Sequence, residues 1–393
     1  MIDYDKILNG TIRDVKPSGI RKFFDIANEM DDVISLSIGE PDFKTPWHIR
    51  QAGIDSLEKG RTWYTPNRGF GELRTEIAKY YKRKFDLEYN PDSDVLVTVG
   101  GSEAIDLALR CIVNKGDEVL IPQPSFVCYE PLTIMAGGKP VLIETKQENN
   151  FRLTAQELEE NITDKTKLLI LPFPNNPTGG IMRREDLEKI IPIIKKHNIF
   201  VLSDEIYAEL TYGEQRHVSI ASLDDMQERT VVINGFSKAY AMTGWRLGYA
   251  LGPCQIIDQM TKLHQYGIMS SPTTAQYAAI DALKNGDKDI ENMRSEYDMR
   301  RKYILGRFEK IGFDCFEPLG AFYAFPCIKS TGLSSEEFCT RLIKEKHVAL
   351  VPGNAFGSSG EGYVRMSYSY SLKHLKLALD RIETFLEELK NED

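Results

Sequence analysis

Four short polar segments of this 393-residue chain contain side chains of the kinds that bind ligands or catalyse reactions. Each segment accompanies the end of an apolar run, and in order they are GGSEA at 100–104, PNNPTGG at 174–180, SDEIY at 203–207 and GFSKAYAMTGWR at 235–246. In an open parallel sheet, ligands bind beyond the carboxyl ends of the strands. We therefore expect these segments to meet at one site.

The first and the last of these segments offer a place for an anion and an amine. GGSEA follows a strand-like run and opens a helical one, so its backbone N–H groups and the positive end of the helix dipole would face a phosphate. Lys238 follows the strand-like run TVVING. Taken alone, the glycine pair is as well explained by a plain turn, and the lysine by a solvated charge.

Asp204 ends the apolar run IFVLSD, so we expect it to be partly desolvated and to need a positive partner, although a helix cap is the alternative. A lysine amine, a buried carboxylate and a phosphate cradle on neighbouring strand ends together suit pyridoxal phosphate. The lysine forms the imine, the acid keeps the pyridinium nitrogen protonated, and the helix terminus takes the phosphate. Arg246, eight residues after Lys238, adds a bidentate phosphate donor.

The elements that must position these residues follow from the hydrophobic pattern. From about residue 95, short apolar runs alternate with amphipathic stretches, which predicts βα units and an α/β fold with a mainly parallel seven-stranded sheet. After Asn285 and Gly286 the chain changes to a long charged helix followed by short strands and helices. We predict a large domain over residues 46–284 and a smaller α+β domain over residues 285–393. Residues 1–45 would complete the small domain or pack on a partner subunit.

Composition excludes several other functions. Lys and Arg total 49 against 58 Asp and Glu, a formal charge of −9 that argues against nucleic-acid binding. No uncharged apolar run approaches the ~18 residues of a membrane span, and the N-terminus has no export signal. The six cysteines lack zinc-ligand spacing, and we interpret them as reduced thiols. We expect a cytoplasmic protein that binds no metal, membrane or nucleic acid.

The sequence resembles the class I/II aminotransferases of the fold-type-I pyridoxal-phosphate superfamily, in the branch that includes bacterial aromatic, aspartate and N-acetyl-diaminopimelate aminotransferases. The likeness extends from SGIRKF at 18 to YVRMSYS near 363. Seven segments occur in the family's order: IGEPDF, YTPNRGFGELR, GGSEA, NNPTGG, SDEIY, SKAYAMTGWRLGY and YVRMS. Any one of them could arise by chance, but seven in order could not.

The resemblance implies the catalytic roles. Lys238 would form the imine with pyridoxal 5'-phosphate and, once freed by the substrate, move the proton between Cα of the substrate and C4′ of the cofactor. Asp204 would pair with the pyridinium nitrogen. Tyr207 and Asn176 would hydrogen-bond the phenolic oxygen of the cofactor.

The resemblance also implies how the cofactor and the substrate are held. Phe126 would stack on the cofactor ring, with core packing as its alternative explanation. The phosphate would be bound by the following groups: the backbone N–H groups of Gly101, Ser102 and Glu103, the side chain of Arg246, and Tyr64 of the neighbouring subunit. That last contact implies a homodimer with shared sites, although Tyr64 could also be a core residue. Arg365 would clamp the substrate α-carboxylate, helped by Asn176 and the Gly39 backbone, unless it forms only a structural salt bridge.

Two positions depart from the family pattern. Many relatives carry a phosphate-binding serine three residues before the imine-forming lysine, where this chain has Gly235, and whether Ser237 replaces that hydroxyl stays open. Relatives that prefer aspartate can carry a lysine where this chain has Ser102, so strict aspartate specificity is disfavoured.

We therefore expect an aminotransferase that moves an amino group between an L-amino acid and a 2-oxo acid. Glutamate and 2-oxoglutarate form the expected common pair, and an aromatic amino acid or N-acetyl-diaminopimelate is favoured as the other substrate. A pyridoxal-phosphate-dependent carbon–sulfur lyase or decarboxylase is the first alternative. The second is the effector-binding domain of a transcription regulator, which the early start of the family segments disfavours.

Overall fold

The computed structural model of the chain describes residues 2–17, 19, 30, 32–214 and 216–392, so most of the segment SGIRKF lies outside the described residues. The helices of the described ranges are α1 Tyr4–Ile7, α2 Gly10–Asp14, α3 Trp47–Glu58, α4 Gly71–Phe85, α5 Gly101–Ile112, α6 Tyr129–Met135, α7 Ala155–Glu160, α8 Arg184–Lys196, α9 Cys254–Gly267, α10 Thr273–Asn285, α11 Asp287–Ile311, α12 Ser335–Lys346 and α13 Leu372–Glu392. The strands are β1 Ile34–Ser35, β2 Val95–Thr98, β3 Glu118–Gln123, β4 Lys139–Glu144, β5 Thr166–Leu171, β6 Phe200–Asp204, β7 Thr230–Gly235, β8 Gly248–Leu251, β9 Tyr323–Ala324, β10 Val348–Ala349, β11 Val351–Pro352 and β12 Val364–Ser367.

The central sheet has seven strands in the order β2, β8, β7, β6, β5, β3, β4. Strand β8 runs antiparallel to β2 and β7, and the other neighbouring pairs are parallel. Every residue of β3 and β7 is buried, which is why their sequences read as near-continuous apolar runs. The predicted fold class, a mainly parallel seven-stranded sheet within an α/β protein, is confirmed.

Helices cover both faces of this sheet, because successive strand residues point to opposite faces. Leu168 and Ile170 of β5 belong to the same hydrophobic core as residues of α5 and α9. Leu169 and Leu171, which alternate with them, belong to a second core with residues of α8. The sheet is therefore fixed from both sides, and its carboxyl edge is left to hold a site.

The C-terminal part of the chain forms small sheets and a core of its own. Strand β1 pairs in parallel with β10, so residues 34–35 share a sheet with residues 348–349. Strand β12 lies between β11 and β9, antiparallel to both. One hydrophobic core joins β1 and β12 to residues of α11, α12 and α13. The predicted domain limits, at residues 45 and 285, stay a prediction.

None of the helices in the described ranges is both long and apolar enough to cross a membrane. The same ranges contain no group of three or more His, Cys, Asp or Glu side chains placed to hold a metal ion.

Candidate active site

A cavity of about 360 Å³ opens at the carboxyl edge of the central sheet, where the C-terminal part of the chain meets it. Most of the residues singled out from the sequence line it, namely Gly39, Gly101, Ser102, Phe126, Asn176, Asp204, Tyr207, Ser237, Lys238, Arg246 and Arg365. These residues come from distant parts of the chain. The sheet brings them together because the ends of parallel strands share one edge.

Lys238 presents a buried amine to this cavity. Its Nζ donates a hydrogen bond of 2.6 Å to the carbonyl oxygen of Gly39, and it lies 5.7 Å from the centre of the Tyr207 ring. Burial, with a smaller contribution from the nearby cations Arg365 and Arg246, lowers the pKa of Lys238 to about 8, against the opposing effect of Glu40. The amine is therefore far closer to its neutral, nucleophilic form at neutral pH than an exposed lysine.

Asp204 is a buried carboxylate at the end of β6. Its Oδ2 accepts a hydrogen bond of 2.7 Å from the hydroxyl of Tyr129, and its Oδ1 accepts one of 3.2 Å from the backbone N–H of Ile206. Burial raises the pKa of Asp204 to about 6, against these two hydrogen bonds, which favour the charged form. A cationic group in the cavity would relieve this burial cost, as a protonated ring nitrogen would.

The N-terminus of α5 forms one end of the cavity, and glycines bring the backbone close to it. Gly100, with φ of +81°, turns the chain from β2 into the helix. A Cβ on Gly248 would lie 2.6 Å from Gly100 C and from Gly101 N, and a Cβ on Gly100 would lie 2.8 Å from Nη2 of Arg246. The helix N-terminus and a guanidinium group are thus adjacent, an arrangement that suits a phosphate.

A side chain at Gly235 would be crowded by the neighbouring strand segment. A Cβ at this position would lie 3.0 Å from Gly248 Cα and 3.0 Å from the Leu247 carbonyl oxygen. Both neighbours are backbone atoms of the adjacent strand segment, which cannot move aside as a flexible side chain could. Close packing of β7 on the segment that leads into β8 therefore leaves little room for a side chain at position 235, and Ser237 offers a hydroxyl beside the cavity.

Arg365, on β12, closes the other end of the cavity. It is buried, its Nη1 donates to Asn176 Oδ1 at 2.9 Å, and its Nη2 donates to the carbonyl oxygen of Ser37. Its Nε is buried without a hydrogen-bond partner among the described residues. Because no carboxylate of the described ranges forms an ion pair with it, this guanidinium is suited to a carboxylate of a ligand.

Tyr207 and Tyr323 lie next to each other in the wall of the cavity. Their hydroxyl oxygens are 2.8 Å apart, and the guanidinium carbon of Arg365 lies 4.6 Å from the centre of the Tyr323 ring. A Cβ on Gly39 would lie 2.5 Å from the Tyr323 hydroxyl, so a glycine is required there. Tyr323 therefore lies against three residues that the sequence singled out, namely Tyr207, Arg365 and Gly39.

Two residues singled out from the sequence do not line the cavity. The side chain of Glu103 turns back to Val99 N and to His264 instead of entering it. Tyr64 is 77% exposed on the outer surface. Its expected contact with a neighbouring subunit stays a prediction.

Sequence reasoning missed functional neighbours of the predicted residues. Neither Tyr129, the hydrogen-bond donor of Asp204, nor Tyr323 was singled out. A weak signal existed for Tyr129, which lies three residues after Phe126 in the same segment. Tyr323 sits in an ordinary apolar strand, FYAF, and only its contacts distinguish it.

Comparison with known proteins gives concordant results. The sequence model of the family described as "Aminotransferase class I and II" matches residues 31–382. A putative aminotransferase of Bacillus subtilis is 52% identical over 96% of this chain and 98% of its own, and an aspartate aminotransferase of Pyrococcus abyssi is 48% identical over 96% and 97%. The crystal structure of an aromatic aminotransferase from Pyrococcus horikoshii has a TM-score of 0.90 at 46% identity, covering 94% of this chain and 99% of that one.

Proposed function

This chain belongs to the class I and II aminotransferases, which use pyridoxal 5'-phosphate, and we propose that Lys238 is the residue through which it transfers amino groups between L-amino acids and 2-oxo acids. The observation that carries the proposal is the pair formed by the Lys238 amine and the Asp204 carboxylate. Both are buried in one cavity, and burial moves the pKa of each toward its neutral form. Such opposed shifts in a cleft are typical of catalytic groups.

The residues of the cavity fit pyridoxal phosphate. When bound, the cofactor supplies an aldehyde for the lysine amine and a ring that takes up the electron pair left on the substrate Cα. Asp204 pairs with the ring nitrogen, and Phe126 stacks on the ring. Gly101, Ser102 and the Glu103 backbone hold the phosphate with Arg246 and the neighbouring Ser237.

The remaining residues orient the reacting groups. Tyr207 and Asn176 hydrogen-bond the phenolic oxygen of the cofactor. Arg365 would bind the substrate α-carboxylate with Asn176 and the Gly39 backbone. Lys238 would carry the proton that leaves the substrate Cα.

We further propose glutamate and 2-oxoglutarate as the common substrate pair, with an aromatic amino acid or N-acetyl-diaminopimelate as the other donor. Ser102 stands where aspartate-preferring relatives can carry a lysine, which disfavours strict aspartate specificity. The walls beside it include the apolar side chains of Ile38, Ile105 and Phe126. An apolar wall binds an apolar or long side chain more favourably than the short carboxylate of aspartate.

A second copy of the chain completes the site in this proposal. Trp63, Tyr64, Tyr266, Ile268 and Met269 form an exposed apolar surface, and Asn67 Nδ2 donates to the Met269 carbonyl oxygen at 2.7 Å, which ties its two segments together. Exposed apolar patches mark interaction sites. In a homodimer, Tyr64 reaches the phosphate of the neighbouring site. The cytoplasm is the proposed location, since all six cysteines are free.

The first experiment is the visible spectrum of the cofactor-loaded protein, titrated separately with glutamate, aspartate, tyrosine and N-acetyl-diaminopimelate without any 2-oxo acid. We expect glutamate and one of the last two to bleach the visible band, and the Lys238→Ala variant to lack that band. Release of pyruvate with ammonia, or of carbon dioxide, would instead assign a lyase or a decarboxylase. A loss of the dimer in sedimentation, together with weaker cofactor binding in Tyr64→Ala, would support the shared site.

A further inference from the structure

Glu103 lies in the first turn of α5, and its side chain links this turn to a second helix. Oε2 accepts a hydrogen bond from the backbone N–H of Val99, in the loop between β2 and α5. Oε1 lies 2.7 Å from Nδ1 of His264, near the end of α9. One carboxylate therefore joins the loop, the helix start and a neighbouring helix.

His264 is entirely buried, whereas the Glu103 side chain is 13% exposed. A carboxylate only accepts hydrogen bonds, so Nδ1 of His264 must carry the hydrogen in this contact. Nε2 is buried without a hydrogen-bond partner among the described residues. Burying a polar ring in this way is costly, and the contact with Glu103 is the compensation that the structure provides.

The contact bears directly on the place where the phosphate is proposed to bind. Gly101 and Ser102 are the first two residues of α5, and Glu103 is the third. The preceding loop is held by Gly100 N donating to Thr98 O at 3.0 Å, by Thr98 Oγ1 donating to Gly100 O at 2.9 Å, and by the Glu103 contact to Val99 N. Without that contact, the loop loses one of the bonds that fix the direction of the Gly101 and Ser102 N–H groups.

A carboxylate so near an anion site would also repel a phosphate if it were free to turn toward it. His264 and Val99 N hold both oxygens of Glu103 on the side away from the cavity, since Glu103 is absent from the cavity lining. The contact between Glu103 and His264 thus fixes the N-terminal turn of α5 and keeps the carboxylate of Glu103 turned away from the phosphate site.

We propose that Glu103 and His264 are positioning residues that hold the N-terminal turn of α5 in the geometry needed to bind the cofactor's phosphate. The inference rests on the proposed function, in which Gly101 and Ser102 bind that phosphate. It assigns no contact between either side chain and the cofactor, and it predicts an effect on phosphate recognition alone.

The test compares pyridoxal 5'-phosphate with pyridoxal, which has the same ring and aldehyde without the phosphate. The dissociation constant of each is measured on the apo-protein from the visible band that forms at Lys238. Glu103→Ala, which favours the helix, is expected to weaken pyridoxal phosphate about tenfold, the scale of a hydrogen bond to a charged group, and to leave pyridoxal unchanged. Glu103→Gln should fall between Glu103→Ala and wild type, because its amide oxygen still accepts from Val99 N, whereas its amide N–H faces a ring nitrogen that must first give up its hydrogen.

Two further variants complete the design. Asp106→Ala, on the same helix, removes a carboxylate that accepts from Arg110 Nε and serves as the matched control, with no change expected. His264→Ala should be selective for the phosphate in the same way and add little to Glu103→Ala in the double variant, because both act through one contact.

Equal weakening of the two ligands in Glu103→Ala, or an unchanged affinity for pyridoxal phosphate, would overturn the inference. Failure of the proposed function looks different. In that case the wild-type protein itself would form no visible band with pyridoxal phosphate, or would form one that Lys238→Ala retains, and the inference would fall with it.

Discussion

Lys238 Nζ donates its hydrogen bond to the carbonyl oxygen of Gly39, 199 residues earlier in the chain. Two residues before Gly39, the carbonyl oxygen of Ser37 accepts a hydrogen bond from Arg365. One short segment therefore contacts both the amine and the guanidinium of the cavity. It fixes the separation between the group proposed to bear the cofactor and the group proposed to bind the substrate carboxylate.

The pKa of Lys238 predicts how fast the apo-protein takes up the cofactor. Burial lowers that pKa to about 8, so at pH 7.5 about a quarter of the amine is neutral, against roughly one part in a thousand at an ordinary lysine pKa. The uptake rate should rise with pH and level off above about pH 8. Stopped-flow absorbance at a series of pH values measures it, and a rate still rising steeply at pH 10 would contradict the prediction.

Asp204 should destabilise the apo-protein above its pKa. Its pKa is raised to about 6 in the folded state, so the folded state binds more protons than the unfolded state between about pH 4 and pH 6, and stability falls as pH rises through that window. Asp204→Asn should remove this fall and raise the melting temperature at pH 7.5 by a few degrees, while it weakens cofactor binding. Calorimetry of both apo-proteins at pH 4.5 and pH 7.5 shows whether stability falls between these two pH values. An equal fall in the two proteins would exclude Asp204 as its source.

Tyr129→Phe tests the hydrogen bond that favours the charged form of Asp204. Without it, the pKa of Asp204 should rise further, by about one unit for a hydrogen bond to a charged group. The pH below which cofactor affinity falls, because Asp204 becomes protonated, should therefore rise by that amount. Tyr89→Phe is the control, because the buried Tyr89 hydroxyl makes no hydrogen bond within the described residues. If cofactor affinity fell at the same pH in both variants, the result would argue against the role of Tyr129.

Arg365→Lys keeps the positive charge but loses the planar fork that matches a carboxylate. We expect KM for the amino donor to rise on the order of a hundredfold, with a smaller change in cofactor affinity. Arg341→Lys is the matched control, since Arg341 pairs with Glu345 and Glu392 on the surface. If KM stayed at the wild-type value in Arg365→Lys, the substrate carboxylate would have to bind elsewhere.

Gly235→Ser restores the serine that many relatives carry, and here it should do harm. Its Cβ would lie 3.0 Å from two backbone atoms of the neighbouring strand segment, so we expect a loss of about 1–3 kcal/mol of stability, as for overpacked cores, and no gain in cofactor affinity. Gly306→Ser is the control, because a Cβ there meets nothing within 4 Å. Thermal unfolding and cofactor titration of both variants measure these effects. Tighter cofactor binding in Gly235→Ser would show that the neighbouring strand segment shifts to make room for the side chain.

The two pKa-shifted residues illustrate how far sequence reasoning reached. Asp204 and Lys238 were singled out because each follows an apolar run, and the alternation of such runs with amphipathic stretches also predicted the βα organisation. Their side chains line one cavity, as expected. The partners that set their properties, Tyr129 and Gly39, were not assigned as such from the residues themselves.

Sequence alone determined which chemistry the chain carries and the class of fold that holds it, because both depend on residue types and local periodicity. Only the tertiary structure decided the strand order, with β8 antiparallel between β2 and β7, and hence which strand ends became neighbours. The backbone contact at Gly235 follows from that order, whereas the hydroxyl pair of Tyr207 and Tyr323 and the link from Glu103 to His264 depend on how elements outside the central sheet pack against it. Such contacts join residues far apart in the chain, and their formation depends on packing that no local pattern of hydrophobicity encodes.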